Sequence, residues 1–453
     1  MAAKLFGTNG VRGVVNEDMN PSLALQLGKA IGTVFKGTVA LATDTRVSAD
    51  MIRTAVSAGL MSVGTNVLDL GMVPTPALQY YIKTHADVTG GVMITASHNP
   101  PEFNGIKCIS PDGTEASPAE EGAVEELYAE EIPGVTWDKV GGTEKVSGAG
   151  EAYIDAVISR VDADAIRKAN LTACLDCANG AACETSPLLL KKLNVRAITI
   201  NGNQQGEFPG HPSEPTEENL RDLLYLTKST NSNLGIAHDG DADRCVFVSS
   251  KGEFVSGDKS LTLITKYVLS KKKGKIVTPV SSSSLVEEIT INSGGTLEYT
   301  AVGSPVVARK MIESGAVFGG EENGGLIFPE MQFCRDGAMT VAKMLECIVT
   351  IGPLDQQISA LPVYHTEKKK IECPNNLKKK ISDHLADVSK DAKIDRTDGL
   401  KLIFDDGWVL ARPSGTEPAF RIYSESKNAD IAKERADKYE AIVKEALQSA
   451  GIR

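Results

Sequence analysis

Cysteine is scarce in this sequence. Eight occur in 453 residues, too few for a scaffold stapled by disulfides. Cys174 and Cys177 form a CxxC, but no second pair and no histidine pair follows at zinc-binding spacing. Buried structural thiols are therefore expected. No apolar run reaches the about 18 residues that a membrane-spanning helix needs. The opening MAAKLFGTNGVRG has no apolar signal core. A reduced, cytoplasmic protein with no membrane partner is the expectation. Positive charge is also in deficit: 48 Lys and Arg against 59 Asp and Glu leave a net charge of −11. Nucleic acid binding usually needs a basic face, so no nucleic acid partner is expected. An acidic chain can still hold a small anion where it gathers Arg, Lys or backbone N–H groups locally.

What is present is an alternation of helical and strand patterns. Residues 20–36 begin with Asn20 at the N-cap and Pro21 at the first helical position, and Leu23, Leu27, Ile31 and Val34 recur at helical spacing. The short apolar runs TVALATD, NVLDLG and GGVMITA follow, bounded by turn residues. This rhythm predicts βαβ units and a mostly parallel sheet. It recurs from residue 171 (LTACLDCANGAA, VRAITI, NLGIAHDGDADR) and from residue 275 (KIVTPV, TLEYT, AVFGGEENGG). Three consecutive α/β domains are expected, at 1–150, 151–254 and 255–365. The remainder, 366–453, offers LKLIF, WVLARP and FRIYSES, then a helix carrying Ile431, Tyr439, Ile442, Val443 and Leu447 on one face. A smaller C-terminal antiparallel α+β domain is expected there.

In each α/β block the third strand delivers a polar loop at its carboxyl end, where ligands bind in such sheets. The loops are Thr95–Pro100, Asp239–Arg244 and Gly320–Gly325; the last domain adds Arg412–Thr416 between two strands. Asp239, Asp241 and Asp243 sit at alternate positions, so three carboxylates can converge from an extended loop on one hard cation such as Mg²⁺ or Ca²⁺. An EF-hand is excluded, because Arg244 and Ser250 stand where it needs Gly and Glu. An acidic surface turn is the competing reading. Arg412, Ser414, Gly415 and Thr416 combine a guanidinium, hydroxyls and glycine-permitted N–H groups into an anion cradle, against the alternative of an ordinary hairpin turn.

Ser97 precedes His98 directly and lacks the glycine-flanked pattern of a hydrolase elbow. A serine at a strand end, with an acidic metal loop and an anion cradle elsewhere, points to phosphoryl chemistry, in which a phosphoserine adds an oxygen to the metal's ligands. Lys107 could move a proton or hold a phosphate; taken alone it reads as a solvated surface charge. GEFVSGDKS approaches a P-loop, but Asp258 replaces its lysine.

Four motifs in order, TASHNPPEFNGIK, DGDADR, GEENGG and RPSGTEP, make the whole chain resemble the α-D-phosphohexomutase family. The resemblance implies three α/β domains with mixed sheets and a C-terminal domain around a central cleft. It implies that Ser97 carries the phosphoryl group beside His98 and Asn99, and that Asp239, Asp241 and Asp243 bind Mg²⁺ with a phosphoserine oxygen. Arg244 would contact the phosphates, Lys107 would act as general acid or base, and Arg12 would line the catalytic end. Glu321 and Asn323 would bind sugar hydroxyls; Arg412, Ser414, Gly415 and Thr416 would hold the phosphate that is not reacting. The implied partner is a small sugar phosphate, with a hexose 1,6-bisphosphate as activator, and a homodimer is compatible with the family. LFGTNGVRG is similar to the opening of phosphoglucosamine mutases. Asn323 and Gly325 replace the Ser and His of the bacterial pattern, and GEENGG looks more like archaeal-type members. Phosphoglucosamine mutase is the expected activity, with phosphomannomutase/phosphoglucomutase as the alternative. A phosphatase and a catalytically dead sugar-phosphate sensor are the rival classes.

Overall fold

A computed structural model describes residues 5–7, 9–389, 392–414 and 418–449. The chain divides into two compact units, 1–260 with 323–359, and 261–322 with 360–453.

The first unit holds two sheets. The larger has six strands in the order Val11–Val14, Phe103–Ile109, Gly90–Ile94, Thr38–Thr43, Asn66–Met72 and Thr143–Lys145. Thr38–Thr43 is parallel to both Asn66–Met72 and Gly90–Ile94, whereas Phe103–Ile109 runs antiparallel to Gly90–Ile94 and to Val11–Val14. The second sheet repeats the device. Thr172–Asp176 is parallel to Arg196–Ile200 and Leu234–His238, and Cys245–Ser249 returns antiparallel to Leu234–His238. The sheets are thus mixed, as the family resemblance implies, and still mostly parallel, as the alternation predicts: among the described strands only Phe103–Ile109 in the first sheet and Cys245–Ser249 in the second run against the rest. No helix separates Gly90–Ile94 from Phe103–Ile109, and a connection this short allows only an antiparallel return.

The helix expected over 20–36 spans Pro21–Phe35; the Asn20 side chain caps it by accepting from the Leu23 N–H at 3.0 Å. Leu27 and Ile31 are fully buried, with Leu23 and Val34 packed at the margin of the same core. Gly90–Ile94 and Leu234–His238 are buried along their whole lengths. Such strands fix the polar loops at their ends rigidly.

The second unit contains the parallel strands Thr296–Thr300, Lys275–Pro279 and Phe318–Gly320. It also contains a five-stranded antiparallel sheet in the order His365–Glu372, Ala419–Ser426, Gly407–Pro413, Leu400–Phe404 and Lys393–Asp395. The expected antiparallel α+β arrangement is present. Tyr439, Val443 and Leu447 of the helix Ala429–Ser449 pack with Leu402, Val409, Phe420 and Ile422. Ile431 and Ile442 sit half-buried at the edge of that face.

Candidate active site

Thr95 follows the buried strand Gly90–Ile94 directly and anchors the serine loop. Its hydroxyl donates to Asp44 Oδ2 at 2.6 Å and accepts from the Ser97 N–H at 2.8 Å. Asp44 pairs in turn with Arg46, both side chains fully buried. The Arg46 guanidinium donates to the carbonyls of Pro100 (2.6 Å), Phe103 (2.8 Å), Ser97 (2.9 Å) and Asn99 (2.6 Å). One side chain thereby clasps the serine loop by its backbone. No sequence motif marks Arg46. Its signal is its place two residues after TVALATD, at the carboxyl end of the neighbouring parallel strand.

Within this clasp Ser97 has a left-handed backbone, φ 52°, uncommon outside glycine and frequent at functional sites. It is fully buried. Its Oγ donates to Asp239 Oδ2 at 2.9 Å and lies 3.3 Å from His98 Nδ1. Burial, with the charges of Arg244, Arg12 and Arg335, pushes the His98 pKa down to about 2, so the ring is neutral at physiological pH. Arg12 Nη1 donates to Asn99 Oδ1 at 2.8 Å and to the Ala96 carbonyl at 3.1 Å.

The aspartate loop meets the serine loop from the second sheet. A Cβ on Gly240 would stand 2.5 Å from the Ser97 carbonyl oxygen, so only glycine permits this approach. Asp239, Asp241 and Asp243 are all buried, and one oxygen of each lies within 4.8 Å of the others. Asp241 Oδ2 accepts from Lys107 Nζ (2.7 Å) and from the Thr75 hydroxyl (2.6 Å). Asp243 Oδ2 accepts from Arg335 Nη2 at 2.6 Å and lies 3.6 Å from Lys107 Nζ. The Oδ1 atoms of Asp241 and Asp243 are buried with no hydrogen-bond partner among the described residues. Buried carboxylate oxygens left open cost free energy unless something else binds them. This donor set, all hard oxygens, fits a divalent cation.

The electrostatics agree. Burial and the carboxylates of Asp243 and Asp241 push Asp239 above the usual carboxylate range. Burial works the same way on Asp241, but the Lys107 ammonium outweighs it and holds that carboxyl well below its ordinary value. Lys107 is only 1 % exposed and is no surface charge. Arg244 lies beside the triad, its Nε 3.9 Å from Asp239 Oδ2 and without a hydrogen-bond partner among the described residues.

The first unit thus brings together Arg12, Ser97, His98, Asn99, Lys107, the three aspartates and Arg244. It also adds Thr75 and Arg335, which contiguous motifs did not reveal. Asn323 belongs to the same unit and caps its own loop, its Oδ1 accepting from the Gly325 N–H at 3.0 Å. In the second unit, buried Glu321 accepts from the Gly303 N–H at 3.1 Å. Arg412 Nε donates to Asp398 Oδ2 at 2.6 Å, an oxygen that also takes the Val302 N–H. Ser414 is buried, and its carbonyl accepts from Lys378 Nζ at 2.6 Å. Gly415 and Thr416 lie outside the described residues.

Sequence models of phosphoglucomutase/phosphomannomutase match along the chain: alpha/beta/alpha domain I at residues 3–133, domain II at 151–252, domain III at 256–364 and the C-terminal domain at 367–442. A phosphoglucomutase/phosphomannomutase of Thermococcus kodakarensis is 41% identical over 456 residues, covering 98% of this chain and 99% of the relative. The chain belongs to the phosphoglucomutase/phosphomannomutase family. A phosphoglucosamine/phosphogalactosamine mutase of Sulfurisphaera tokodaii is 39% identical over 453 residues, covering 97% of this chain and 99% of that one. Among solved structures, a family protein from Burkholderia thailandensis superposes with a TM-score of 0.87 at 25% identity, covering 98% of each chain. The family's four domains therefore all occur here in order. All eight cysteines are buried thiols. Among the described residues no helix is long and apolar enough to cross a membrane.

Proposed function

We propose that this family member moves a phosphoryl group between C1 and C6 of a hexose phosphate, through phosphorylated Ser97 and a hexose 1,6-bisphosphate. The observation that carries this reading is the 2.9 Å contact of Ser97 Oγ with Asp239 Oδ2, beside the two unpartnered oxygens of Asp241 and Asp243. In the first half-reaction the bond from phosphorus to Ser97 Oγ breaks as a sugar hydroxyl oxygen bonds to phosphorus. The hydroxyl loses a proton and Ser97 Oγ gains one. The second half-reaction reverses this with the other phosphate of the bisphosphate. The same bisphosphate, as activator, phosphorylates an empty Ser97.

Asp239, Asp241, Asp243 and a phosphoserine oxygen would hold Mg²⁺, which when bound draws negative charge off the transferring group. Arg244 and Arg12 hold phosphoryl oxygens. Lys107, fixed on a strand, moves the proton. Neutral His98 steadies Ser97 Oγ through Nδ1 without adding a charge. Glu321 and Asn323 bind sugar hydroxyls; Arg412, Ser414, Gly415 and Thr416 grip the distal phosphate.

Glucosamine phosphate is the preferred substrate in this reading, supported by the opening LFGTNGVRG and by the Sulfurisphaera relative. Mannose and glucose phosphates are the alternative, supported by the Thermococcus relative. The test compares kcat/KM for the 1-phosphates of glucosamine, mannose and glucose, with Mg²⁺ and trace 1,6-bisphosphate, while mass spectrometry follows Ser97. Absence of phosphate on Ser97 during turnover refutes the mechanism. Steady release of inorganic phosphate replaces the mutase by a phosphatase.

A further inference from the structure

Gly325 and Arg335 are neighbours across a short antiparallel contact. The Asp336 N–H donates to the Leu326 carbonyl at 2.9 Å, and Ile327 bridges Arg335. A Cβ on Gly325 would stand 2.2 Å from Arg335 Cδ and 2.9 Å from its Cγ. The backbone at 325 is not left-handed, so glycine is not required there for conformation. It is required for room, and the room is filled by the stem of Arg335.

That stem starts from a fixed point. Asp336 caps the helix Gly337–Ile351, accepting from the Met339 N–H at 2.9 Å, from Gln332 Nε2 at 3.0 Å and from the Tyr153 hydroxyl. The Arg335 guanidinium then ends 2.6 Å from Asp243 Oδ2, with the two side chains 6% and 2% exposed. Asp241 shows the same division of labour: Oδ2 is clamped by Lys107 and Thr75, and Oδ1 is open. In both residues the engaged oxygen stops rotation of the carboxylate and leaves its twin for another ligand. Partners of metal-binding carboxylates act in this way.

We propose that Arg335, given room by Gly325, is a positioning residue that clamps Asp243 through Oδ2 and so presents Oδ1 to a divalent cation. This rests on the proposed role of the triad as a metal site.

The test is Mn²⁺ binding to the chelator-stripped full chain, read by electron paramagnetic resonance, with thermal unfolding of each metal-free variant as the check on folding. Arg335→Met lowers Mn²⁺ affinity about 10- to 100-fold. Arg335→Lys keeps the charge but not the planar fork and gives a loss in the same range. Gly325→Ala pushes the stem aside without removing a charge and reproduces the loss. Because both substitutions break one contact, the double variant Gly325→Ala/Arg335→Met is no worse than either alone. Arg335→Met binding Mn²⁺ as well as or better than the unaltered chain overturns the proposal, since the guanidinium is then only a counter-charge. Additive losses in the double variant overturn the role of Gly325. An unaltered chain that takes up no Mn²⁺ overturns the metal reading itself, a result separate from the other two.

Discussion

Ser97 and Asp239, 142 residues apart in the chain, share a hydrogen bond of 2.9 Å in a fully buried setting. Each lies just past the carboxyl end of a wholly buried strand, in a different sheet. The contact joins the group proposed to carry phosphate to the first residue of the proposed metal site.

Ser97→Ala removes the oxygen that would hold the phosphoryl group while adding no bulk. Turnover should fall on the order of 10³-fold or more, with sugar-phosphate binding by calorimetry largely kept. Substantial mutase activity in this variant defeats the phosphoserine role.

Asp241→Asn keeps the shape of a doubly engaged side chain and removes its charge. The Mg²⁺ concentration for half-maximal rate should rise at least about tenfold, roughly 1.4 kcal/mol, and chelator should abolish activity of the unaltered chain reversibly. An unchanged Mg²⁺ titration contradicts the cation site.

Arg46→Lys keeps a positive charge beside Asp44 but cannot serve four carbonyls spread around one guanidinium. Stability in urea should drop on the order of 2–4 kcal/mol, as two or more of these buried or part-buried carbonyls lose their donor at about 1–3 kcal/mol each. The kcat should fall with it as the serine loop loosens. Full kcat in a folded Arg46→Lys chain shows the clasp to be dispensable for the chemistry.

These three predictions differ in how far sequence alone could reach. Ser97, Lys107 and the aspartates announced themselves because TASHNPPEFNGIK and DGDADR are contiguous, and contiguous motifs carry their chemistry with them. Arg46, Thr75 and Arg335 act on those motifs from other segments. Their identities are ordinary, and only the fold brings them to the site. The one reversed strand in each sheet of the first unit is harder to read for a related reason. Hydrophobic periodicity reports where strands are but not how they pair, and the shortness of segment 95–102 was the one clue that Phe103–Ile109 must turn back. Asn20 and Pro21, in contrast, act within one turn of helix, and the helix they start was legible almost to the residue.

Lys401 in the second unit provides a pH-dependent test. Its Nζ donates to the Val280 carbonyl at 2.7 Å and lies over the rings of Trp408 (4.3 Å) and Tyr299 (4.9 Å). Burial pushes its pKa down from 10.5 to about 8. The folded state therefore holds this proton less tightly than the unfolded state. Below pH 8 both states are protonated and the full cost of burying the charge is present; as pH rises from about 8 to about 10.5 that cost disappears. The contribution of this one residue amounts to about 3 kcal/mol of stability gained across the interval. Lys401→Met should remove that rise, seen as a difference in urea midpoints between the two chains at pH 7.5, 9 and 10.5. Parallel pH profiles for the two exclude a depressed lysine.

The burial of every cysteine side chain gives the protein a built-in clock. A maleimide in solution finds no sulfur on the folded surface, so its rate of attachment counts openings of the chain. The position of each tagged sulfur, read by peptide mapping, then tells which sheet opened first.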